Sequence, residues 1–167
     1  MKMAELSIQD SEWIKADFWE AKQTQWTRTI VVLKHHRDEL QKEFGNSNFR
    51  LMLLCGGDVV DSFPRLLPSG ENLWKPEDVE AIIRDFGIII VDRTLAEPEK
   101  TLQQLNFLTP NVLKNAFVIK DDVFPNDVSS TLLRKAIRRG ESILYCTPMP
   151  VAKYIKEWKL YLAHNLA

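Results

Sequence analysis

The chain has 167 residues, of which 45% are hydrophobic, and its 22 Lys and Arg residues nearly balance its 23 Asp and Glu residues, for a formal net charge of -1. This composition predicts a globular domain with a sizeable core, and it argues against a general nucleic-acid-binding protein, which usually carries a basic excess. No stretch has the length of a membrane span, and residues 1–6 lack the features of a signal peptide, so we expect no membrane partner.

The two cysteines, Cys55 and Cys146, are far apart in the sequence and lack the spacing of metal ligands. This pattern suits a reducing compartment better than a disulfide framework, and we expect both cysteines to be free thiols. We therefore expect an intracellular protein, either cytoplasmic or nuclear, with a mitochondrial location also open.

The N-terminal part is predicted to contain a short strand followed by a long helix. Residues 3–6 have the pattern of the end of a helix that begins outside the sequence, and residues 13–17 have the pattern of a strand. Apolar side chains then recur at helical spacing, which predicts one amphipathic helix that ends at Gly45. The apolar positions of this helix are Trp19, Trp26, Ile30, Leu33, Leu40 and Phe44.

A buried parallel strand is predicted at residues 49–54, where an apolar run leads into Cys55-Gly56-Gly57-Asp58. The carboxyl end of such a strand is where α/β proteins bind ligands. Glycines there allow a nucleotide to approach the backbone closely, and the carboxylate of Asp58 can accept hydrogen bonds from ribose hydroxyls. Taken alone, the same residues are more typical of a plain turn.

Helices and strands alternate through the rest of the chain. The pattern predicts a helix from Pro76 to Gly87, strands at residues 88–91 and 116–119, a helix near residues 103–113 and an amphipathic helix at residues 151–162. Strands that alternate with helices pair in parallel in most folds of this kind. The sequence therefore predicts an α/β fold with a parallel sheet.

Three hydroxyl side chains, those of Ser129, Ser130 and Thr131, stand where the next helix is predicted to begin. The first-turn N–H groups of a helix have no intrahelical partner and carry the positive end of its dipole, so these hydroxyls can cap the helix or help bind a phosphate. Arg134 follows Ser130 by four residues and lies one turn further along the same face. The hydroxyls on one side and Arg134 on the other could together bind a phosphate. An ordinary capped helix is the commoner explanation of such residues.

The run Val128-Ser129-Ser130-Thr131-Leu132-Leu133-Arg134 resembles the ISSTxxR signature of the HxGH-type nucleotidyltransferases. Its flanks, Asn126-Asp127 before it and RKAIRRGESI after it, together with LLCGGD at residues 53–58, resemble the eukaryotic nicotinamide mononucleotide adenylyltransferases. The resemblance covers nearly the whole chain, and it implies a Rossmann-like doubly wound parallel sheet of the nucleotidyltransferase type. The family begins with a strand and a GxFxPxHxGH-type loop that is not found in this sequence. We therefore expect residues 1–167 to form the C-terminal part of such a domain, N-terminally truncated and lacking the first strands.

The resemblance implies the condensation of nicotinamide or nicotinic acid mononucleotide with ATP, which gives NAD or its deamido form and pyrophosphate. The implied partners are these two nucleotides, and nucleic acid is not among them. Adenylyl transfer needs no covalent nucleophile from the protein, because the phosphate of the mononucleotide attacks the α-phosphate of ATP. Mg²⁺ is the implied cofactor, and we expect it to be carried with ATP rather than by protein ligands.

The resemblance also assigns roles to individual residues of this sequence. Ser129, Ser130, Thr131 and Arg134 correspond to positions that bind the ATP phosphates, with Arg134 as the catalytic residue. Positions for the adenylate and its ribose are Gly56, Asp58 and Asn126, and positions for the mononucleotide are Trp19, Leu73, Trp74 and Arg93. The two tryptophans match rings that stack on the nicotinamide, whereas core packing is the commoner role of a tryptophan taken in isolation.

Two alternatives to an active enzyme of this family stay open at this point. One is a catalytically inactive truncated isoform that acts as a nucleotide-binding or chaperone-like partner. The other is an adenylyl- or cytidylyltransferase that acts on pantetheine or on lipid head-group phosphates, which Trp19, Trp74 and Asn126-Asp127 disfavour. The preference for the amide or the acid mononucleotide is open, and a homo-oligomer is compatible with the resemblance.

Overall fold

The structure is a computed structural model of the chain, and it describes residues 1–45, 48–92, 96–120, 123 and 126–162. It divides into a terminal unit, Met1–Gln25 with Val128–Ala167, and a central unit, Trp26–Asp127. The helices are α1 Lys2–Ile8, α2 Thr29–Phe44, α3 Gly57–Val60, α4 Pro76–Ala81, α5 Pro98–Gln104, α6 Pro110–Leu113, α7 Ser130–Arg138 and α8 Met149–Glu157. None of the helices within these ranges combines the length and the apolar character needed to cross a membrane.

The central unit is built on a parallel sheet of three strands, β1 Leu53–Gly56, β2 Ile88–Val91 and β3 Ala116–Ile119, in the order β1-β2-β3. Leu53 pairs with Ile88, which pairs with Ala116. This confirms the predicted α/β fold. The prediction of a strand at residues 49–54 was wrong in its bounds, because β1 can pair only where β2 is extended, and β2 begins after Gly87.

Helices cover one face of this sheet and bury its apolar side chains. Ile88 and Ile90 of β2 are fully buried and pack with Val60 of α3 and Val79 of α4. Each such side chain contributes about 1.5–3 kcal/mol through the area it removes from water. The alternate residues point to the other face, where Leu54 is 65% exposed within the described part of the chain.

Two predicted features of the chain before β1 are wrong. Residues 13–17 form no strand, and the side chain of Trp13 is 85% exposed, because the described residues of the terminal unit include no strand with which they could pair. The long helix begins at Thr29 rather than at residue 19, and it does end at Gly45 as predicted. A 3₁₀ turn at Glu20–Lys22 and extended backbone at Gln23 interrupt the apparent helical spacing, so Trp26 lies outside the helix and is 77% exposed.

The start of α2 is held against α4 by an ion pair. Nη1 of Arg28, the residue before α2, donates to Oδ1 and Oδ2 of Asp78 at 3.1 and 2.8 Å. Below this pair, Ile30 and Leu33 of α2 are buried. After α4 the chain continues as a π-helical turn, Ile82–Phe86. This turn ends at Gly87, whose φ of 90° is one that glycine adopts easily.

Two later helices also differ from the prediction. The helix expected near residues 103–113 is two short helices, α5 and α6, because Pro110 cannot continue a helix and begins a new one, capped by Thr109. The C-terminal helix α8 ends at Glu157, earlier than expected, since Lys159 and Tyr161 have positive φ angles of 49° and 64°. In the terminal unit α8 packs with α1 and α7 around Ile143.

Candidate nucleotide-binding site

The carboxyl end of β1 delivers Gly56, Gly57 and Asp58 in a tight connection, because α3 begins directly after the strand. A Cβ atom on Gly57 would lie 2.7 Å from the Cβ of Ala96, which is closer than two carbon atoms can approach without a shift. The close approach of Ala96 therefore requires a residue without a side chain at position 57. Asp58 lies in the first turn of α3 with its side chain exposed, where it could reach a ligand hydroxyl.

Cys55 lies beside this connection and is chemically protected. Burial raises the pKa of its thiol to about 11, and the negative charge of Asp58 adds to the rise. Because the thiolate is the reactive form, Cys55 is a poor nucleophile at neutral pH. Its role is that of an apolar side chain next to the core, while Cys146 is exposed, and both cysteines are free as predicted.

The ends of β2 and β3 lie at the same edge of the sheet, since parallel strands run in one direction. The N–H of Asp92 donates to the carbonyl of Ile119 at 2.9 Å, and Oδ2 of Asp92 lies 4.0 Å from Nζ of Lys120. The other carboxylate oxygen, Oδ1, is buried without a hydrogen-bond partner in the described structure. Arg93, a predicted mononucleotide residue, lies outside the described residues.

Leu73 and Trp74 follow a small hairpin of the central unit. Gly70 turns the chain with a φ of 83°, and the N–H of Leu73 donates to the carbonyl of Arg65 at 2.9 Å, which closes the hairpin. The closed backbone fixes where the two side chains leave it, directly before α4 begins at Pro76. Both side chains are half-buried.

The indole of Trp74 is part of the packed structure of the central unit. Its Nε1–H donates to Oγ of Ser62 at 2.9 Å, and its ring meets that of Phe63 edge to face at 5.1 Å and 70°. The ring also packs against two clusters of buried side chains. Trp74 therefore packs against the core, the commoner role of an isolated tryptophan, while stacking on a pyridine ring stays a prediction.

Asp61, the residue after α3, joins α3 to α5. Its Oδ1 accepts a hydrogen bond from the hydroxyl of Thr101 at 2.6 Å, and its Oδ2 accepts one from the N–H of Glu97 at 2.9 Å. α5 follows β2 as α3 follows β1, so this carboxylate connects the segments that leave two adjacent strands at their carboxyl ends. The sequence does not distinguish Asp61 and Ser62 as functional residues, because an acidic or hydroxyl residue at the end of a short helix is usually solvated.

In the terminal unit, the motif that resembles ISSTxxR forms the start of α7 as predicted. Oγ of Ser129 accepts a hydrogen bond from the N–H of Leu132 at 3.2 Å, so Ser129 is the N-cap. An Nη2–H of Arg134 donates to Oγ1 of Thr131 at 3.4 Å, which holds the guanidinium over the first turn. Ser130 and Thr131 are exposed. The helix start thus presents hydroxyls, first-turn N–H groups and a guanidinium together.

The predicted site residues divide between the two units. Trp19 lies in the terminal unit with Ser129 to Arg134, is half-buried, and donates its backbone N–H to Oδ1 of Asp17 at 2.8 Å. Asn126 lies in the central unit and is exposed. Within the central unit, Asp58 and the hydrogen-bond partner of Trp74 lie in one short stretch of chain, because Trp74 donates to Ser62, four residues after Asp58.

The central unit also has a cleft of about 580 Å³ at the amino ends of the strands, the opposite edge from Gly56 and Asp58. Arg37, Arg50 and Phe86 are among the residues that line it. Rossmann-like sheets bind nucleotides at the carboxyl ends of their strands, so this cleft is separate from the candidate site.

Comparison with known proteins identifies the family. A family model described as Cytidylyltransferase-like matches residues 1–136. Nicotinamide/nicotinic acid mononucleotide adenylyltransferase 2 of Caenorhabditis elegans is 45% identical over 161 residues, which cover 96% of this chain and 71% of the relative. The corresponding enzyme 1 of Bos taurus is 31% identical over 199 residues, which cover 98% of this chain and 68% of the relative. The chain belongs to the nicotinamide/nicotinic acid mononucleotide adenylyltransferase family.

A solved structure supports the fold of this adenylyltransferase family member. The Plasmodium falciparum nicotinic acid mononucleotide adenylyltransferase complexed with APC matches with a TM-score of 0.52 at 20% identity, covering 83% of this chain and 60% of that chain. The match confirms the predicted Rossmann-like fold of the nucleotidyltransferase type. The chain spans between 60% and 71% of the lengths of these three relatives.

Proposed function

We propose that this chain takes part in the condensation of nicotinamide or nicotinic acid mononucleotide with ATP, as the names of its relatives describe for them. Family membership carries the proposal, with identities of 45% and 31% to two such enzymes over nearly the whole chain. In the reaction, a phosphate oxygen of the mononucleotide bonds to the α-phosphorus of ATP and pyrophosphate leaves. Residues 1–167 would correspond to the C-terminal part of the nucleotidyltransferase domain.

The start of α7 is proposed to bind the phosphates of ATP. Its first-turn N–H groups and the hydroxyls of Ser130 and Thr131 are donors, and Arg134 adds a positive charge one turn further. A guanidinium can donate two parallel hydrogen bonds to a phosphate, which suits charge that develops on the leaving pyrophosphate. The guanidinium of Arg134 stands close to these donors, because its Nη2–H donates to Oγ1 of Thr131 at 3.4 Å.

The remaining predicted residues are proposed to bind the two nucleosides. Gly56, Asp58 and Asn126 would contact the adenosine and its ribose. The mononucleotide would contact Trp19, Leu73, Trp74 and Arg93. The half-buried position of Trp74 supports this assignment, because a ring that is fixed on one side by a hydrogen bond can present its remaining surface to a flat ligand.

Mg²⁺ is the proposed cofactor, carried to the site by ATP. Within the described residues no group of three or more His, Cys, Asp or Glu side chains could hold a metal ion. Mg²⁺ commonly keeps several waters and binds through the phosphates of a nucleotide. When bound there, it would neutralise negative charge on the phosphates.

The proposal is tested by calorimetric titration of ATP and by a coupled assay of NAD formation. We expect ATP to bind and Arg134→Ala to weaken its binding about tenfold or more. The coupled assay is run on the 167-residue polypeptide alone and fused to a GxFxPxHxGH-containing segment of a relative, and we expect NAD synthesis from the fusion. ATP binding without turnover in either form would favour the nucleotide-binding partner instead of the enzyme.

A reducing intracellular compartment is proposed from the two free cysteines, Cys55 and Cys146. Cytoplasmic, nuclear and mitochondrial locations are distinguished by microscopy of the tagged protein. The proposed homo-oligomer is checked by light scattering of the purified chain.

A further inference from the structure

Three contacts hold α3 against the segment that follows β2. The hydroxyl of Thr101 and the N–H of Glu97 each donate to one oxygen of the Asp61 carboxylate, at 2.6 and 2.9 Å. At the other end of α3, Gly57 lies against Ala96 so closely that no side chain fits between them. The two segments are therefore fixed to each other at both ends of α3.

The hydrogen bonds to Asp61 are of the stronger kind, because the acceptor is charged. An O–H···O⁻ distance of 2.5–2.7 Å is typical of such bonds, and the Thr101 bond lies in this range. Asp61 and Thr101 are both half-buried, so water competes for these groups less than it does at an open surface.

α3 carries one group that the proposed function uses and leads directly to the hydrogen-bond partner of another. Asp58, in its first turn, is proposed to contact the ribose of ATP. Ser62, just after its end, accepts the hydrogen bond from Trp74, which is proposed to stack on the pyridine. A shift of α3 would move both groups, and displacements of about 1 Å can be costly in nucleotide transfer.

We propose that Asp61 is a positioning residue of the nucleotide site: through Thr101 and Glu97 it sets the position of α3, and hence of Asp58 and Trp74, relative to the segment after β2. This inference rests on the proposed function. Asp61 itself touches no substrate in this arrangement. Its effect on binding is transmitted through the backbone of α3.

The test compares threonine variants that differ in a single group. Thr101→Val removes the hydroxyl and keeps the shape, whereas Thr101→Ser keeps the hydroxyl and removes a methyl group. Thr109→Val is the matched control, since it makes the same change at a threonine whose hydroxyl accepts a hydrogen bond from the N–H of Val112, within α6. Affinities for ATP and for nicotinamide mononucleotide are measured by calorimetry well below the unfolding temperature of every variant.

We expect Thr101→Val to weaken binding of both nucleotides about three- to tenfold, Asp61→Ala to weaken it more, and Thr101→Ser and Thr109→Val to bind as the wild type does. A merely structural role would lower the unfolding temperature of Thr101→Val and leave both affinities unchanged, which would overturn the proposal. Equal losses in Thr101→Val and Thr109→Val would overturn it as well. If the wild-type chain binds neither nucleotide, the proposed function itself fails, and the positioning role fails with it.

Discussion

The hydrogen bond between Trp74 and Ser62 should make a measurable contribution to the stability of the central unit. Trp74→Phe removes the Nε1–H donor and part of the ring, and it keeps an aromatic side chain next to Phe63. A hydrogen bond contributes about 0.5–1.5 kcal/mol net. With the smaller ring, we expect Trp74→Phe to lower the free energy of unfolding by about 1–2 kcal/mol, and Trp74→Ala by about 3–5 kcal/mol.

A double-mutant cycle isolates the hydrogen bond from the packing. Ser62→Ala removes the acceptor and leaves the indole N–H half-buried without its partner, which costs about 1–3 kcal/mol. In the double variant with Trp74→Phe both partners are absent, so the two effects should overlap by about 1 kcal/mol. Urea unfolding is followed by far-UV circular dichroism, because the signal must not depend on the tryptophan that is replaced. Additive effects, within about 0.3–0.5 kcal/mol, would refute a stabilising bond between the two side chains.

Fluorescence titration separates the core role of Trp74 from its proposed role in binding. Nicotinamide mononucleotide or NAD should quench tryptophan fluorescence, and Trp74→Leu should remove much of the quench. Stacking contributes about 0.5–1.5 kcal/mol beyond the buried area, which corresponds to an affinity loss of up to about tenfold. Trp74→Phe keeps a flat ring and should retain part of the affinity. An unchanged quench in Trp74→Leu and in Trp19→Leu would leave both rings with structural roles alone.

Three further predictions concern other residues. Arg134→Lys should bind ATP nearly as weakly as Arg134→Ala, because the ammonium of lysine cannot donate two parallel hydrogen bonds to a phosphate as the guanidinium does. If calorimetry finds wild-type affinity in Arg134→Ala, the motif serves only to cap the helix. Stability should fall as pH rises from 9.0 to about 11, because the folded state keeps a proton on Cys55 that the unfolded state has lost, and urea unfolding of Cys55→Ala should lack this decline. Gly57→Ala should destabilise the chain by about 1–3 kcal/mol through overpacking, and Ala96→Gly should restore much of the loss if the contact between the two Cβ positions is the cause, as thermal unfolding would show.

The sequence by itself determined the parts of the fold that depend on local pattern. Two of the three strands, β2 and β3, have the bounds predicted from their short apolar runs, which are rich in the β-branched residues that favour strands. The start of α7 at Ser130 follows from its capping residue, and the family follows from the motif around it. These features depend on neighbours in the chain and need no knowledge of distant contacts.

The tertiary structure decided the features that depend on a partner far along the chain. Residues 13–17 have the composition of a strand, yet a strand forms only beside another one. The helical spacing from Trp19 to Trp26 is real in the sequence, but those residues lie outside α2. The carboxylate of Asp61 meets Thr101, and Ser62 meets Trp74, across loops whose paths the sequence does not reveal. Such contacts arise only once the sheet has brought the segments together, because hydrogen bonding and close packing act over a few ångströms in space and are independent of distance along the chain.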